Sequence, residues 1–378
     1  MSTENHDTRV FRAPGRVNLI GEHTDYNDGF VMPAAIDFYT WVKIAPLDTR
    51  KLRVKSQNYG EEVEVDLDDP NIAARGRWSD YPIGVAVMLE RAGHRLRGAR
   101  LEIRGEVPIG SGLSSSAALE VATACALTAN SGLKIERREL ALLCQQAENE
   151  FVGARVGIMD QFVSLFGQAH KALMLDCRSL DFKLLPVPDN VRLIICNTMV
   201  KHALASSAYN ERRAQCEAGV KHLQQHLPQV KALRDVTVEQ LEQYGRDLPE
   251  VVYRRCRHVI TENERVLSAA DALGRHELNQ FGKLMAESHR SLRDDYEVSS
   301  TELDVMVELA QTVEGVYGAR MTGGGFGGCT VNLVAVEHTE EFRTRVADGY
   351  ERAMKLKPEI YICNASNGAE EITLRPSA

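Results

Sequence analysis

The chain has 378 residues, of which 44% are hydrophobic and 26% are charged, and its formal net charge at pH 7 is −8. This composition is that of an ordinary soluble globular protein, and the length suggests about two domains. The acidic balance argues against a nucleic-acid partner, although it is compatible with a local basic pocket for an anionic ligand.

The sequence predicts neither a membrane span nor a secretory signal. No stretch approaches about 18 consecutive apolar residues, and the polar residues 1–9 contain no apolar core of a signal peptide. The eight cysteines form no C-x-x-C pair, and most of them lie in apolar runs. We therefore expect a cytoplasmic protein with reduced, mostly buried thiols rather than a disulfide framework.

Strand and helix signals alternate in the first half of the chain. Strands are expected at 10–13, 30–45 with a break at Pro33, 51–56, 61–67 and 100–106. Helices are expected at 78–92, 113–130, 136–151 and 157–166. Residues 14–29 have the composition of a loop with a short apolar centre.

The second half is richer in helix signals. Strands are expected at 172–175, 192–196, 316–322, 330–336 and 359–363, and helices at 206–224, 248–272, 276–290, 301–312 and 342–354. The change in character predicts an N-terminal domain over 1–175 and a C-terminal domain over 176–378. Because no linker or repeat separates them, we expect the two to pack closely with a site between them.

Residues 108–118 read Pro-Ile-Gly-Ser-Gly-Leu-Ser-Ser-Ser-Ala-Ala and join a β-rich segment to an Ala- and Leu-rich helix. Gly110 and Gly112 permit positive φ and a close approach of backbone to a ligand. Three serines then stand at the helix entrance, where unpaired N–H groups and the helix dipole favour an anion. The stretch predicts a phosphate-binding turn, and the alternative is a loop that only caps the helix.

Arg16, Glu22, His23 and Asp25 place one cation, one imidazole and two carboxylates within ten residues. Carboxylates and imidazoles bind sugar-type hydroxyls, so this segment favours recognition of a polar ligand. The alternative is a solvated turn with a local ion pair. A metal site is less favoured, because the spacing is not that of H-E-x-x-H.

Two further carboxylates stand in helical segments. Glu148 lies late on one predicted helix, and Asp160 stands among apolar neighbours near the start of the next. A carboxylate in a helix with a buried face is usually paired or functional. The alternative for Asp160 is an acid that caps the helix.

Residues 322–328 formally contain G-x-G-x-x-G, at Gly323, Gly325 and Gly328. The β-branched segment that follows predicts a strand and not the helix of a dinucleotide-binding fold. No G-x-x-x-x-G-K-[ST] and no protein-kinase signature is present in the sequence. These glycines are therefore expected to allow close approach of the backbone to a ligand or to the neighbouring domain.

Three separated stretches together resemble one enzyme family. Residues 14–26 (the first motif) resemble the galactokinase signature, residues 110–117 (the second motif) resemble the phosphate-binding loop of the GHMP small-molecule kinases, and residues 321–329 (the third motif) resemble the glycine-rich motif of that superfamily. The first motif is very specific, whereas the others indicate only the superfamily. The resemblance implies an α+β fold of two domains with the active site in the cleft between them. It also implies ATP-dependent phosphorylation of D-galactose at the C1 hydroxyl.

The resemblance assigns roles to individual residues. The ATP phosphates would lie against Gly110, Ser111, Gly112, Leu113, Ser114, Ser115 and Ser116. The adenine end would lie near Trp78 and Tyr81, with Ser56 also close to the nucleotide. Mg²⁺ would be held by Ser116 and Glu148. Asp160 would face the attacking hydroxyl with Arg16 beside it. The sugar would contact Glu22, His23, Thr24, Asp25, Gly157 and Tyr209. Lys201 stands where the family pattern has arginine, which weakens a bidentate contact there.

The resemblance leaves alternatives open. One is a kinase for a related sugar such as N-acetylgalactosamine, and another is a non-catalytic sensor of galactose and ATP. The complete serine loop, together with Arg16 and Asp160, disfavours the sensor. The family default is a monomer that acts on small molecules, with no nucleic-acid or membrane partner.

Overall fold

The computed structural model describes residues 8–201 and 205–373, without the side chains of residues 201, 205 and 206. The described strands are β1 Arg9–Asn18, β2 Phe30–Val31, β3 Pro33–Pro46, β4 Lys51–Ser56, β5 Glu62–Asp66, β6 Ala99–Gly105, β7 Lys171–Asp176, β8 Phe182–Pro186, β9 Val191–Lys201, β10 Val316–Thr322, β11 Gly327–Ala335, β12 Glu359–Cys363 and β13 Glu370–Ile372. The described α-helices are α1 Asp80–Arg91, α2 Ser115–Asn130, α3 Arg137–Gln146, α4 Met159–Phe166, α5 Ala205–Leu223, α6 Val238–Tyr244, α7 Glu250–Gly274, α8 Leu278–Asp294, α9 Thr301–Gln311 and α10 Thr339–Met354. This mixture of helices and sheets is the expected α+β class.

A six-stranded sheet in the order β13-β1-β3-β6-β4-β5 organises the N-terminal half. β1 pairs antiparallel with β3, and β4 pairs parallel with β6. Every second residue of β4 is buried, because strand side chains alternate between the two faces of a sheet. Helices α2 and α4 lie against β1 and β3, where Val54, Leu101, Val121 and Phe162 belong to one apolar cluster.

A four-stranded sheet in the order β10-β11-β9-β12 organises the C-terminal half. Leu193 and Ile195 of β9 join one apolar cluster with Phe281 of α8. Ile194, between them, joins a second cluster with Phe342 of α10. The sheet is therefore covered on both faces, which is why its strands read as continuous apolar runs.

The end of the chain returns to the first sheet, because β13 pairs with β1. A three-stranded sheet, β2-β7-β8, straddles residue 176. The division of the chain into domains at residue 176 stays a prediction.

The first five residues of the segment 14–29 are not a loop, contrary to the expectation from their composition. β1 continues through them to Asn18, and a bulge between Pro14 and Arg16 keeps the pairing with β3. Gly15 lies so close to the second motif that an added Cβ would stand 2.6 Å from the carbonyl oxygen of Leu113. The first motif therefore begins on a strand that contacts the second.

Most other predicted elements are present with shifted ends. α2 begins at Ser115, because Ser114 has a left-handed backbone with φ 58°. The helix expected at 136–151 divides into α3 and a π-helical turn, Ala147–Val152. The short elements β8 and α6 were not expected, because segments of five and seven residues carry little periodic signal.

The prediction that most cysteines are buried is confirmed. All eight cysteines lie in the described residues, none forms a disulfide, and six are buried. Among the helices that the structure describes, none combines the length and apolar character that a bilayer span requires. The expectation about the N-terminus concerns mainly residues 1–7, which lie outside the described residues.

Candidate active site

A cavity of about 1050 Å³ is lined by residues of all three motifs. The predicted site residues in its lining are Arg16, Ser56, Trp78, Tyr81, Gly110, Gly112, Leu113, Ser114, Ser115, Ser116, Glu148 and Asp160. Gly324 of the third motif completes one side. Ser111 is buried, and its hydroxyl donates to the carbonyl oxygen of Pro108 at 2.7 Å. The structure thus gathers the predicted nucleotide residues, with Ser111 supporting the turn.

The second motif makes a sharp turn into α2. Gly110, Gly112 and Ser114 have φ of 68°, 81° and 58°, and only glycine adopts such values without steric cost. The third motif packs on this turn, since a Cβ added at Gly323 would lie 3.3 Å from the oxygen of Gly112. The expected close backbone approach of the third motif is therefore confirmed.

Ser114 does not cap α2, although it stands at the N-cap position. Its hydroxyl donates instead to Oδ2 of Asp160. The first N–H groups of the 16-residue helix α2 are thus left without a side-chain cap from this serine, beside a cavity lined by Ser115 and Ser116. A helix N-terminus in this setting favours a bound phosphate over a loop that only caps the helix.

Arg16 and Asp160 form a bidentate ion pair at the edge of the cavity. Nε and Nη2 of Arg16 donate to Oδ1 and Oδ2 of Asp160, both at 2.8 Å. Nη1 of Arg16 donates to the oxygen of Gly112 at 2.6 Å. The Arg16 side chain is 7% exposed and that of Asp160 is 25% exposed, so the carboxylate keeps a face open to the cavity. Asp160 is paired and accessible, which favours a functional role over helix capping.

Glu148 lies in the π-helical turn and points toward Ser116 and Gln161. The Ser116 hydroxyl favours the ionised form of Glu148 and so opposes a raised pKa, and Nε2 of Gln161 donates to Oε2 at 2.7 Å. Burial, followed by the charge of Asp160, raises the pKa of Glu148 to about 7. A π-helical turn is typical of functional positions, because the extra residue redirects a side chain.

The residues present fit a magnesium ion. A serine hydroxyl and a carboxylate are oxygen donors, and Mg²⁺ is usually bound by one or two carboxylates together with substrate phosphates. A nearby cation would favour the ionised form of Glu148, whose pKa is otherwise raised. Within the described residues no three His, Cys, Asp or Glu side chains gather as a metal site, so phosphate oxygens would have to supply further ligands.

An aromatic pair lines the cavity, and the sequence predicted only one of its members, Trp78. The rings of Trp78 and Tyr59 stack with centroids 5.7 Å apart and an interplanar angle of 9°. Nε1 of Trp78 donates to Oε2 of Glu61 at 2.8 Å. Tyr59 is 49% exposed and, like Asn58 and Arg77, lines the cavity outside any motif. The sequence offered one signal for Tyr59, which is that it lies three residues after Ser56, a predicted nucleotide residue at the end of β4.

Glu22 follows β1 and is almost completely buried. Its carboxylate accepts N–H groups from Nη1 of Arg320 at 2.7 Å, the Gly323 backbone at 2.7 Å and Nδ2 of Asn18 at 2.5 Å. Burial raises the pKa of Glu22, and the Arg320 guanidinium opposes that shift. The structure ties this predicted sugar residue to the third motif, a link that the sequence did not indicate.

His23 and Thr24 continue the same loop. Nδ1 of His23 lies 2.8 Å from the hydroxyl oxygen of Tyr26, and its ring packs 5.5 Å from that of Tyr209. Burial lowers the pKa of His23 to about 3, so the imidazole is neutral at physiological pH. The hydroxyl of Thr24 lies 2.8 Å from the oxygen of Gly21 and closes the loop.

Asp25, Gly157 and Tyr209 converge from three elements. A Cβ added at Gly157 would overlap the Asp25 carboxylate and stand 2.9 Å from the Asp25 Cβ atom. Burial, followed by the charge of Asp160, raises the pKa of Asp25 to about 6. Burial also raises the pKa of Tyr209, to which the charges of Asp25 and Asp160 contribute. The predicted sugar residues therefore lie beside the ion pair of Arg16 and Asp160. The side chain of Lys201 lies outside the described residues.

Replacing Gly157 by alanine is expected to displace the Asp25 carboxylate. A misplacement of about 1 Å can cost much of the rate at an active site. We therefore expect the KM for galactose, the sugar that the resemblance implies, to rise by about tenfold or more, with the KM for ATP nearly unchanged. Steady-state kinetics measure both. Gly274→Ala is the matched control, since a Cβ at Gly274 would meet no atom within 4 Å. An unchanged galactose KM in Gly157→Ala would contradict the predicted sugar-binding role of Asp25.

Comparisons with known proteins agree with the three motifs. Residues 2–46 match the model of the galactokinase galactose-binding signature, residues 80–168 match the GHMP kinases N terminal domain, and residues 269–350 match the GHMP kinases C terminal domain. A galactokinase from Roseiflexus sp. (strain RS-1) is 48% identical over 97% of this chain and 94% of its own length. One from Chloroflexus aggregans is 48% identical over 96% and 93%.

Solved structures give the same result. The crystal structure of Lactococcus lactis galactokinase complexed with galactose superposes with a TM-score of 0.93 at 39% identity, over 97% of this chain and 96% of that one. A mevalonate kinase with a TM-score of 0.67 at 19% identity, over 95% and 99%, shares the fold. The sequence identity over almost the full length of the relatives shows that this chain belongs to the galactokinase family of the GHMP kinases.

Proposed function

We propose that this protein transfers the γ-phosphoryl group of ATP to the C1 hydroxyl of D-galactose. The observation that carries the proposal is the bidentate pair of Arg16 and Asp160. The pair stands between a cavity lined by the second motif and the sugar residues of the first. Galactokinases at 48% identity and the galactose-bound relative support the choice of sugar.

Phosphoryl transfer depends on positioning and charge stabilisation more than on covalent chemistry. The backbone N–H groups at the start of α2 and the hydroxyls of Ser115 and Ser116 would hold the phosphates, and the stacked Trp78 and Tyr59 would lie near the adenine. Ser116 and Glu148 would hold Mg²⁺, which when bound neutralises charge on the β- and γ-phosphates. Arg16 would stabilise the charge that develops on the transferred group.

Asp160 would orient the C1 hydroxyl and receive its proton. Its carboxylate already accepts three donors, two from Arg16 and one from Ser114. In a loose transition state the nucleophile needs little early activation. We therefore propose that the proton moves to Asp160 late, after the γ-phosphate has begun to separate.

An assay of ADP release with galactose tests the proposed function. We expect turnover that requires both ATP and galactose, and formation of a sugar phosphate at C1 observed by ³¹P NMR. Preferential turnover of N-acetylgalactosamine would identify the related sugar kinase instead. Binding of galactose and ATP without any turnover would identify a sensor and contradict the proposal.

We also propose the broader setting implied by the family. The protein would act as a monomer in the cytoplasm on small molecules alone, with two domains that meet near residue 176 and enclose the site. The close packing of the two halves is supported by the apolar cluster that joins β1 to β9 and α8.

The efficiency of galactose use is expected to fall in acid. Asp25 is ionised above its pKa of about 6 and loses its charge, and its capacity to accept from two hydroxyls, below that pH. At saturating ATP and Mg²⁺, kcat/KM for galactose should fall by about tenfold per pH unit below this value. A profile from pH 4.5 to 8 measures the decline. Asp25→Asn should remove most of this decline at low pH, which we call the acid limb of the profile. An unaltered acid limb in this variant would contradict the assignment of the decline to Asp25.

A further inference from the structure

We propose that Arg320 is a positioning residue for sugar recognition, which orients Glu22 and keeps it as a carboxylate that can accept a hydroxyl of the sugar. Arg320 immediately precedes the third motif and belongs to none of the three. The inference rests on the proposed function, because it assigns Glu22 to the sugar end of the site.

The ion pair joins two distant parts of the chain. Arg320 lies on β10 and is fully buried, and Nη1 donates to Oε2 of Glu22 at 2.7 Å and to the oxygen of Asn18 at 3.3 Å. Glu22 lies 298 residues earlier, in the loop after β1. The side-chain exposures are 0% for Arg320 and 3% for Glu22. Both partners are therefore shielded from solvent, and a buried charge pair is screened much less than an exposed one.

The guanidinium is poorly satisfied apart from this contact. Among the described residues, Nε and Nη2 of Arg320 are buried without a hydrogen-bond partner. Buried donors without partners destabilise a fold, and a buried ion pair is often replaceable by apolar residues without loss of stability. The arrangement is therefore explained better by its effect on Glu22 than by a contribution to folding.

One carboxylate oxygen of Glu22, Oε1, can accept a further hydrogen bond. Oε2 is occupied by Arg320 and Asn18, whereas Oε1 accepts the Gly323 N–H at 2.7 Å. The single proton of the Thr322 hydroxyl is shared between the oxygen of Asn18 at 3.0 Å and Oε1 of Glu22 at 3.1 Å. When Thr322 donates to Asn18, Oε1 keeps one lone pair for a sugar hydroxyl.

The ionised form of Glu22 depends on Arg320 because of the charges around it. Burial favours the neutral carboxyl, and Arg320 is the largest influence in the opposite direction, followed by the Gly323 N–H and Arg16. The other titratable or charged groups that face this loop within the described residues include Asp25, His23, Tyr26, Arg212, His258 and Glu262. His23 and His258 are neutral, since burial lowers their pKa values to about 3 and about 4, and Asp25 and Glu262 are acids. Loss of Arg320 would raise the pKa of Glu22 further and favour the neutral carboxyl, which donates a proton where an acceptor is needed.

Arg320→Lys and Arg320→Gln test the inference. Both variants should raise the KM for galactose, by about tenfold for lysine and more for glutamine, while the KM for ATP changes less than about twofold. The efficiency kcat/KM for galactose should acquire a new dependence on pH and rise toward higher pH, because loss of the Arg320 guanidinium raises the pKa of Glu22 further. In a Glu22→Gln background, Arg320→Lys should raise the KM for galactose by less than about a further twofold, because the two residues act as one unit.

Arg255→Lys is the matched control, because Arg255 is equally buried and pairs with Glu297. It should lower the melting temperature without changing the galactose KM or its pH profile. Suppose that the wild-type enzyme turns over galactose and a folded Arg320 variant has an unchanged KM for galactose. This result would overturn the inference about Arg320 and leave the proposed function standing. An additive effect in the Glu22→Gln background would also overturn it. A wild-type enzyme without galactose turnover would overturn the proposed function first and this inference with it.

Discussion

Asp160→Asn is expected to lower kcat by about 10²-fold or more, while the KM for ATP changes little. Asparagine keeps the shape of the side chain and can still accept a hydrogen bond from Arg16, but it cannot take the proton of the attacking hydroxyl. Single-turnover measurements of ADP formation at saturating galactose and ATP isolate the chemical step. Turnover close to that of the wild type would exclude a role for Asp160 as a base and leave only orientation of the sugar.

Asp176→Asn provides a matched control. Asp176 also forms a bidentate pair with an arginine, Arg234, with side-chain exposures of 20% and 19% against 25% and 7% for Asp160 and Arg16. The Asp176 pair does not line the cavity. Both substitutions should lower the melting temperature by similar amounts, so a loss of kcat confined to Asp160→Asn separates chemistry from stability.

Arg16→Met is expected to lower kcat by about 10²- to 10³-fold, the range found when a donor to a developing negative charge is removed. The substitution also removes the cation that favours the charged forms of Asp25 and Glu148. The acid limb of kcat/KM for galactose should therefore move upward from about pH 6, where the pKa of Asp25 lies. The pH profile thus gives a second readout that is independent of the absolute rate.

Arg16→Lys separates charge from geometry. Lysine keeps the cation but cannot donate in the fork that places Nε and Nη2 on the two oxygens of Asp160. We expect its kcat to lie between those of the wild type and Arg16→Met, with the acid limb near the wild-type position. Arg234→Met, the remote control, should leave both kcat and the pH profile unchanged. A shifted limb in Arg16→Lys as large as that in Arg16→Met would contradict the electrostatic explanation.

The local order of the site was predictable from the sequence, because it depends on short-range chemistry. Gly110 and Gly112 indicated a turn with positive φ, and the structure has φ of 68° and 81° there. The β-branched residues after Gly328 indicated a strand and excluded a dinucleotide-binding helix, and β11 occupies that segment. Asp160 was recognisable because a lone acid among apolar neighbours requires a partner.

Other features depended on residues that are far apart in the chain. The composition of residues 14–29 indicated a loop, yet Arg16 lies on a strand, because pairing with β3 overrides local preference across the bulge at Pro14. Tyr59 belongs to no motif, and its role at the cavity follows only from stacking on Trp78. Glu148 was expected on a regular helix, and the π-helical turn that carries it has no sequence signature.

By itself, the sequence determined the three motifs and the side chains that carry charge and hydrogen-bonding capacity, since these are properties of neighbouring residues. The resemblance of those motifs to a family implied the α+β class. Only the tertiary structure decided their partners. It placed Arg16 on Asp160 across 144 residues and Arg320 on Glu22 across 298 residues. Such pairings arise when strands far apart in the chain are brought together around a common apolar core, and burial there makes each charge depend on its partner.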